Sequence, residues 1–238
     1  GTHSYMASCY YGDDDPQVKW VGGYEPILQT DLALAYLERK AGEKSPCFLT
    51  LSWDTPHDPY QEIPAGHAEK YRWEDIEYMP NNSPYEPTEV RVAKRKMLAG
   101  YYAHITALDE QLGRLLQFLD ENSDPREPEK KLAETTIVVF GSDHGDMLGS
   151  HGQYFKSQPY RESTGVPLIM RWPGRIPAGH RDDSVFTAMD HLPTLCKLAG
   201  VRPLAGVDGK DRSAAALGTA ESASDEGEMI MNYVSHWD

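Results

Sequence analysis

Three short runs of apolar, β-prone residues constrain the fold of this 238-residue chain more than any other feature. They lie at residues 47–53, 136–140 and 167–172, and each opens directly onto a turn-forming segment. All three are too short for a buried helix, and none alternates apolar with polar residues. Strands without that alternation are covered on both faces, which is typical of parallel sheets. The pattern predicts an α/β fold, with helices on both faces of a mostly parallel sheet.

Two segments between these runs have helical spacing. Apolar residues recur at this spacing after Thr30, which can cap a helix over residues 31–41. A longer apolar stripe predicts an amphipathic helix over residues 91–120. Its members are Leu98, Tyr101, Ile105, Leu108, Leu112, Leu115 and Leu119. Residues 61–90 lack a clear period and are rich in proline, asparagine and glutamate, so we expect a long surface loop with one short helical piece.

Composition sets the broad class of the chain. With 39% hydrophobic and 25% charged residues, it is typical of a loop-rich globular protein. Its length allows one large domain or two small ones, and we expect one, over residues 1–238. Small and acidic residues at 213–227 predict a flexible loop, and residues 228–234 are read as one more strand.

The charge balance bears on possible partners. A net charge of -14 argues against nucleic acid, because binding to a phosphate backbone requires a basic face. No run approaches eighteen consecutive apolar residues, so no membrane-spanning helix is predicted. Compartment and oligomeric state are not encoded in any motif of this sequence.

Two predicted strand ends and one later loop carry residues capable of chemistry. Asp143 and His144 could supply two ligands to a divalent cation, although turn formation is the commoner reason for an Asp-His-Gly sequence. His57, between two prolines, could point at a substrate from a rigid loop, or be an ordinary exposed histidine. Lys156, thirteen positions past Asp143, could neutralise an anionic ester, or be merely solvated. Sites in parallel α/β sheets lie at the carboxyl ends of strands, where His57 and Asp143 are predicted.

The order of these residues is more specific than any one of them. The run from Ile137 to Gly174 resembles the metal-and-lysine block of sulfatases, in which a strand ends in Ser-Asp-His/Asn-Gly and a later lysine precedes a Val-Pro-Leu strand. The segments TPHDPY, YYAHITALDEQLGRLLQFL and DHLPTLCKLAGV resemble three further motifs of that family. The resemblance covers roughly residues 20–210 and points to the sulfatases of the alkaline phosphatase superfamily.

The resemblance implies a fold, a site and a reaction. The fold would be alkaline-phosphatase-like, and the substrate a small-molecule sulfate ester. By analogy with the family, Asp143 and His144 would bind a divalent metal, with calcium expected first and manganese or magnesium as alternatives. Lys156 would bind the sulfate oxygens, and His57 would contact the ester and assist the leaving group. The nucleophile would be a formylglycine.

Two family features have no counterpart in this sequence. One is an aspartate pair on the first strand, and the other is a Cys-x-Pro-Ser-Arg motif. None of the three cysteines, Cys9, Cys47 and Cys196, is followed by the residues of that motif. The aspartates at 13–15 are read as a surface loop. We therefore expect a partial catalytic domain truncated at both ends, in which residues 215–238 begin a C-terminal subdomain and the isolated chain is inactive.

Three functions are compatible with these residues. The first is part of a sulfuric ester hydrolase. The second is a phosphodiesterase or phosphonate monoester hydrolase of the same superfamily, because the same fold and Asp-His metal pair serve phosphorus esters, and an imidazole ligand suits manganese better than calcium. The third is a non-catalytic binding or structural domain.

Overall fold

The computed structural model describes residues 4–12, 15–77, 79–83, 85–203 and 205–219. The chain divides into two compact units. The first comprises Gly1–Leu132 and Leu148–Tyr154, and the second comprises Ala133–Met147 and Phe155–Asp238.

The first unit is built mainly from a hairpin and two long helices. Strands β1 and β2 pair antiparallel, with Cys9 opposite Trp20. Helix α3 packs against α1 and against a short helix, α2. A second small hairpin, β3 with β4, follows α3. The bounds are β1 Ala7–Gly12, β2 Asp15–Gly22, α1 Glu25–Ala41, α2 Ala65–Ala68, α3 Thr88–Glu121, β3 Ser123–Asp124 and β4 Glu127–Lys131, with 3-10 turns at Trp73–Asp75 and Ser150–Gly152.

Helix α1 begins six residues earlier than predicted. Pro26 occupies its first turn, where the missing N–H costs nothing because no partner is available there. Thr30 is therefore inside the helix and not its cap, and its hydroxyl donates to the carbonyl of Pro26 at 2.7 Å. The predicted end at Ala41 is correct, and Gly42 closes the last turn.

Helix α3 confirms the prediction for residues 91–120 but buries a different face. Leu98, Leu108 and Leu119 are buried as expected, whereas Ile105 is 44% exposed. The small side chains of Ala103 and Ala107 are buried instead. Small residues let neighbouring backbone approach a helix closely, so the packed face of α3 is shifted from the stripe of large apolar residues.

The described residues between 61 and 87 form a loop containing one short helix, α2, and a 3-10 turn, as predicted, whereas residues 88–90, also predicted as loop, belong to α3. A buried cluster of Tyr60, Leu98 and Leu148 holds the start of this loop against α3.

The second unit contains one antiparallel pair of strands and several short helices. Strand β5 pairs with β6, with Val138 opposite Arg171 and Gly141 opposite Leu168. Both strands fall inside the predicted runs at 136–140 and 167–172, apart from Gly141. The bounds are β5 Val138–Gly141, α5 Arg161–Thr164, β6 Leu168–Arg171, α6 His191–Leu198 and α7 Ser213–Ala216, with a 3-10 turn at Ala188–Asp190; helix α4, Leu132–Thr135, lies at the chain junction between the units.

Two predictions about strands differ from the structure. Residues 47–53 form no strand, and Phe48 is 80% exposed. A strand is defined by hydrogen bonds to a neighbour, and no described segment pairs with these residues. Every strand pair in the described ranges is antiparallel, so the mostly parallel sheet is not confirmed.

The ends of the predicted loops also need correction. Residues 213–216, predicted as loop, form helix α7. Asp15 and Pro16 begin strand β2 and are not loop, while Asp13 and Asp14 lie outside the described residues. Residues 220–238 also lie outside them, including the predicted strand at 228–234 and most of the expected subdomain at 215–238.

No helix in the described ranges has both the length and the apolar character needed to cross a bilayer.

Candidate functional site

His57 lies on an exposed turn of the first unit. Its backbone N–H donates to the carbonyl of Asp54 at 3.1 Å, which closes the turn. Its Nδ1 is 3.0 Å from the carbonyl oxygen of Asp58 and 2.9 Å from the Asp58 carboxylate. Both partners accept only, so Nδ1 carries a proton. The imidazole is 45% exposed, and its Nε2 is the nitrogen left to meet a ligand.

Asp143 and His144 follow strand β5 in the second unit and lie together. The Nε2 of His144 is 3.5 Å from Oδ2 of Asp143, whose side chain is 85% exposed. The Nδ1 of His144 is 2.8 Å from the carbonyl oxygen of Gly145 and must donate to it. In the neutral ring, Nε2 is therefore the nitrogen left to bind a ligand, as in metal sites where a histidine is oriented through its other nitrogen.

Two serines, Ser142 and Ser163, hold the backbone around this pair, and the sequence alone did not single them out for this role. The hydroxyl of Ser142 donates to the carbonyl of His144 at 2.8 Å, and the N–H of Gly145 donates to the carbonyl of Ser163 in helix α5 at 2.8 Å. A Cβ on residue 145 would lie 2.1 Å from the carbonyl oxygen of Glu162. Only glycine allows this approach, which explains the glycine in Asp-His-Gly by packing.

Lys156 is exposed, on a tight turn of the second unit. It lies between Phe155 and Ser157, whose φ angles of 62° and 67° are both left-handed. Such angles cost about 1–3 kcal/mol each for residues other than glycine, and they concentrate at functional sites. The carbonyl of Phe155 accepts the N–H of Met147 at 2.7 Å, which anchors the turn. Lys156 makes no hydrogen bond or ion pair with Asp143 or His144 in the described ranges.

The pair Asp143 and His144 was tested for its fit to a metal. Among the described residues, no three histidine, cysteine, aspartate or glutamate side chains form a metal-binding group. The spacing of the pair fits adjacent positions on one cation: two ligand atoms about 2.4 Å from a divalent cation and at right angles lie about 3.4 Å apart, close to the 3.5 Å between Oδ2 of Asp143 and Nε2 of His144. The two side chains can therefore hold part of a divalent cation's shell.

Known proteins resemble this chain over most of its length. The sulfatase family model matches residues 2–201. The ulvan-active sulfatase of Formosa agariphila is 33% identical over 234 residues, which cover 97% of this chain and 43% of that protein. A crystal structure from Bacteroides fragilis, described as a sulfatase, has a TM-score of 0.80 at 28% identity and covers 91% of this chain and 47% of its own.

A more distant structure shares the fold alone. The phosphonate monoester hydrolase of Silicibacter pomeroyi has a TM-score of 0.71 at 24% identity, over 84% of this chain and 42% of its own. These neighbours confirm the alkaline-phosphatase-like fold. The chain spans about half the length of the relatives it matches. From the family match and the ulvan-active relative, the chain belongs to the sulfatase family.

Proposed function

We propose that this chain forms part of a metal-dependent sulfuric ester hydrolase. Family membership supports the reaction class. The observation that carries the proposal is the separation of 3.5 Å between Oδ2 of Asp143 and Nε2 of His144, with the histidine oriented through Nδ1.

Asp143 and His144 would hold a divalent cation, with calcium expected first and manganese or magnesium as alternatives. When bound, the cation supplies positive charge next to the transferred group, which lowers the cost of charge build-up on its oxygens. Two protein ligands leave most of the coordination shell to other donors, so we expect weak affinity from these residues alone.

Lys156 and His57 would act on the ester directly. The Lys156 ammonium would neutralise a sulfate oxygen, and the left-handed residues on either side of it support a functional role for this turn. His57, in its doubly protonated imidazolium form, would donate the Nε2 proton to the leaving oxygen and become the neutral imidazole, while its Nδ1–H bond to Asp58 fixes the ring. The expected nucleophile is a formylglycine, and none of the cysteines in this sequence has its motif, so we expect no turnover by the isolated chain.

The test uses the protein encoded by the complete reading frame around this chain. We expect it to hydrolyse 4-nitrophenyl sulfate and Lys156→Ala to lower kcat by about 100-fold. Lys197→Ala removes another exposed lysine of the same unit and should leave kcat unchanged. Parent-like turnover in the Lys156→Ala variant would exclude the role of Lys156. Turnover by the isolated chain, lost in the same variant, would refute its expected inactivity.

Metal binding is tested separately by calorimetry. Asp143→Asn should weaken Ca²⁺ or Mn²⁺ binding, whereas Asp183→Asn, at an exposed aspartate of the same unit, should not. If the complete protein binds neither a divalent metal nor inorganic sulfate, a non-catalytic binding or structural role replaces the proposal.

The second candidate is a phosphodiesterase or phosphonate monoester hydrolase. The His144 imidazole favours it, because a nitrogen ligand suits manganese better than calcium. Comparison of 4-nitrophenyl sulfate with bis(4-nitrophenyl) phosphate decides between the two reactions. A clear preference of kcat/KM for the phosphodiester would replace the sulfatase assignment.

A further inference from the structure

A buried aromatic cluster lies against the turn that carries His57. Its members, Tyr5, Tyr24 and His104, come from three distant parts of the first unit, and Tyr5 and His104 have no exposed surface. Ring centroids are 5.2 Å apart for Tyr5 and His104 and 5.8 Å apart for Tyr24 and His104. The Tyr5 ring also lies edge-on to Tyr24, with centroids 6.5 Å apart, so its contacts with two neighbouring rings restrict the position of the Tyr5 side chain.

The Tyr5 hydroxyl reaches the turn from inside. It lies 2.8 Å from the carbonyl oxygen of His57 and 3.3 Å from that of Asp54. Carbonyl oxygens only accept, so the phenol is the donor, and burial raises its pKa and keeps the proton on it. The shorter bond goes to the peptide group of His57 itself.

The main chain of Tyr5 is anchored at two further points. Its N–H donates to Oε2 of Glu62 at 2.9 Å, and its carbonyl accepts the N–H of Glu25, the first residue of helix α1, at 2.8 Å. Ser4 adds a 2.7 Å hydrogen bond to the same Glu62 oxygen. Tyr5 thus connects both sides of the segment 54–62 to the core of the unit.

We propose that Tyr5 is a positioning residue for His57. It acts through the His57 carbonyl, which shares a Cα with the imidazole, so movement of that peptide group changes the direction of the ring. Errors of about 1 Å in the placement of a catalytic group can cost 100-fold in rate. This inference rests on the proposed function of His57.

The test compares Tyr5→Phe with Tyr71→Phe. Each substitution keeps the ring and removes the hydroxyl of a tyrosine in the same unit; the Tyr71 hydroxyl is 2.7 Å from the hydroxyl of Thr106 on α3. In this chain, Tyr5→Phe should speed exchange of the His57 amide hydrogen by about fivefold to tenfold, because the hydrogen bonding of the phenol to the carbonyls of His57 and Asp54 is lost. Tyr71→Phe should leave that exchange rate unchanged.

The complete protein provides the catalytic readout. Tyr5→Phe should lower kcat by about tenfold or more with KM nearly unchanged, and it should have no further effect on kcat in a His57→Ala background. Unchanged kcat, or the same fractional loss in that background, would overturn the positioning role. The exchange measurement needs no catalysis, so unchanged His57 exchange also refutes the inference, whereas absent ester turnover in the parent refutes only the proposed function.

Discussion

Substitution of two glycines in helix α3 by alanine should change stability in opposite directions. An interior glycine normally costs a helix about 1 kcal/mol relative to alanine. Gly113 is exposed, and a Cβ built there meets nothing within 4 Å. Gly113→Ala should therefore raise the free energy of unfolding by about 0.5–1 kcal/mol.

Gly100 faces a different environment. A Cβ there would lie 2.1 Å from the carbonyl oxygen and 2.9 Å from the carbonyl carbon of Tyr60. Backbone must move to relieve this contact, and overpacking of that kind costs about 1–3 kcal/mol. A cost of about 3 kcal/mol less the helix gain leaves Gly100→Ala destabilised by about 2 kcal/mol.

Urea unfolding of both variants, followed by far-UV circular dichroism, measures the difference directly. We expect the urea midpoint of one variant to lie above that of the parent and the other below it. The free energies of unfolding of the two variants should differ by about 3 kcal/mol. Gly113→Ala controls for helix propensity because it lies in the same helix. If Gly100→Ala is as stable as the parent or more so, the close approach of Tyr60 to α3 is wrong.

Three further predictions concern buried charged or titratable groups. Lys94 is 2% exposed and donates hydrogen bonds to Asn82, Glu86 and the carbonyl of Gly149. Lys94→Met should therefore lower the free energy of unfolding in urea by about 3–5 kcal/mol, and a decrease below about 1 kcal/mol would contradict this. Burial lowers the pKa of His104 to about 4, so stability should be full above about pH 6.5 and fall by about 3 kcal/mol as the pH drops to about 4, a slope that His104→Gln should reduce. Burial raises the pKa of Asp190, but hydrogen bonds from the backbone N–H groups of Lys210 and Thr187 outweigh burial and hold that pKa below its usual value. Asp190→Asn should therefore lower the free energy of unfolding by about 2 kcal/mol at pH 7. The difference in stability between this variant and the parent should shrink as the pH falls through the lowered pKa.

Helix α3 could be predicted because its signal repeats within one segment. Its buried face could not, because the helical spacing favours the large apolar Ile105 over the small Ala107, and only the packing of other segments shows that Ala107 is the buried one. The start of α1 was predicted wrongly at residue 31, because Thr30 resembles a cap, whereas the local signal of the true start at Glu25 is Pro26 in the first turn. Residues 47–53 have strand composition, but a strand needs a partner that local composition cannot supply.

The candidate site was also predicted from the sequence only in part. Asp143 and His144 are neighbours in sequence, so their proximity was assured, while their separation of 3.5 Å depends on the turn held by Ser142 and helix α5. The fixed Nδ1 protons of His57 and His144 follow from carbonyl groups one residue away, whose direction the sequence does not specify.

The sequence by itself determined the long helix, the strand runs that became β5 and β6, and the order of motifs that leads to the sulfatase family. Each of these depends on residues close together in the chain, where spacing alone carries the information. Tertiary structure alone decided that Tyr5 donates to the carbonyl of His57, 52 positions away, and that Gly100 lies beneath Tyr60. Such contacts depend on the whole packed core, because each requires many other residues to be in place first.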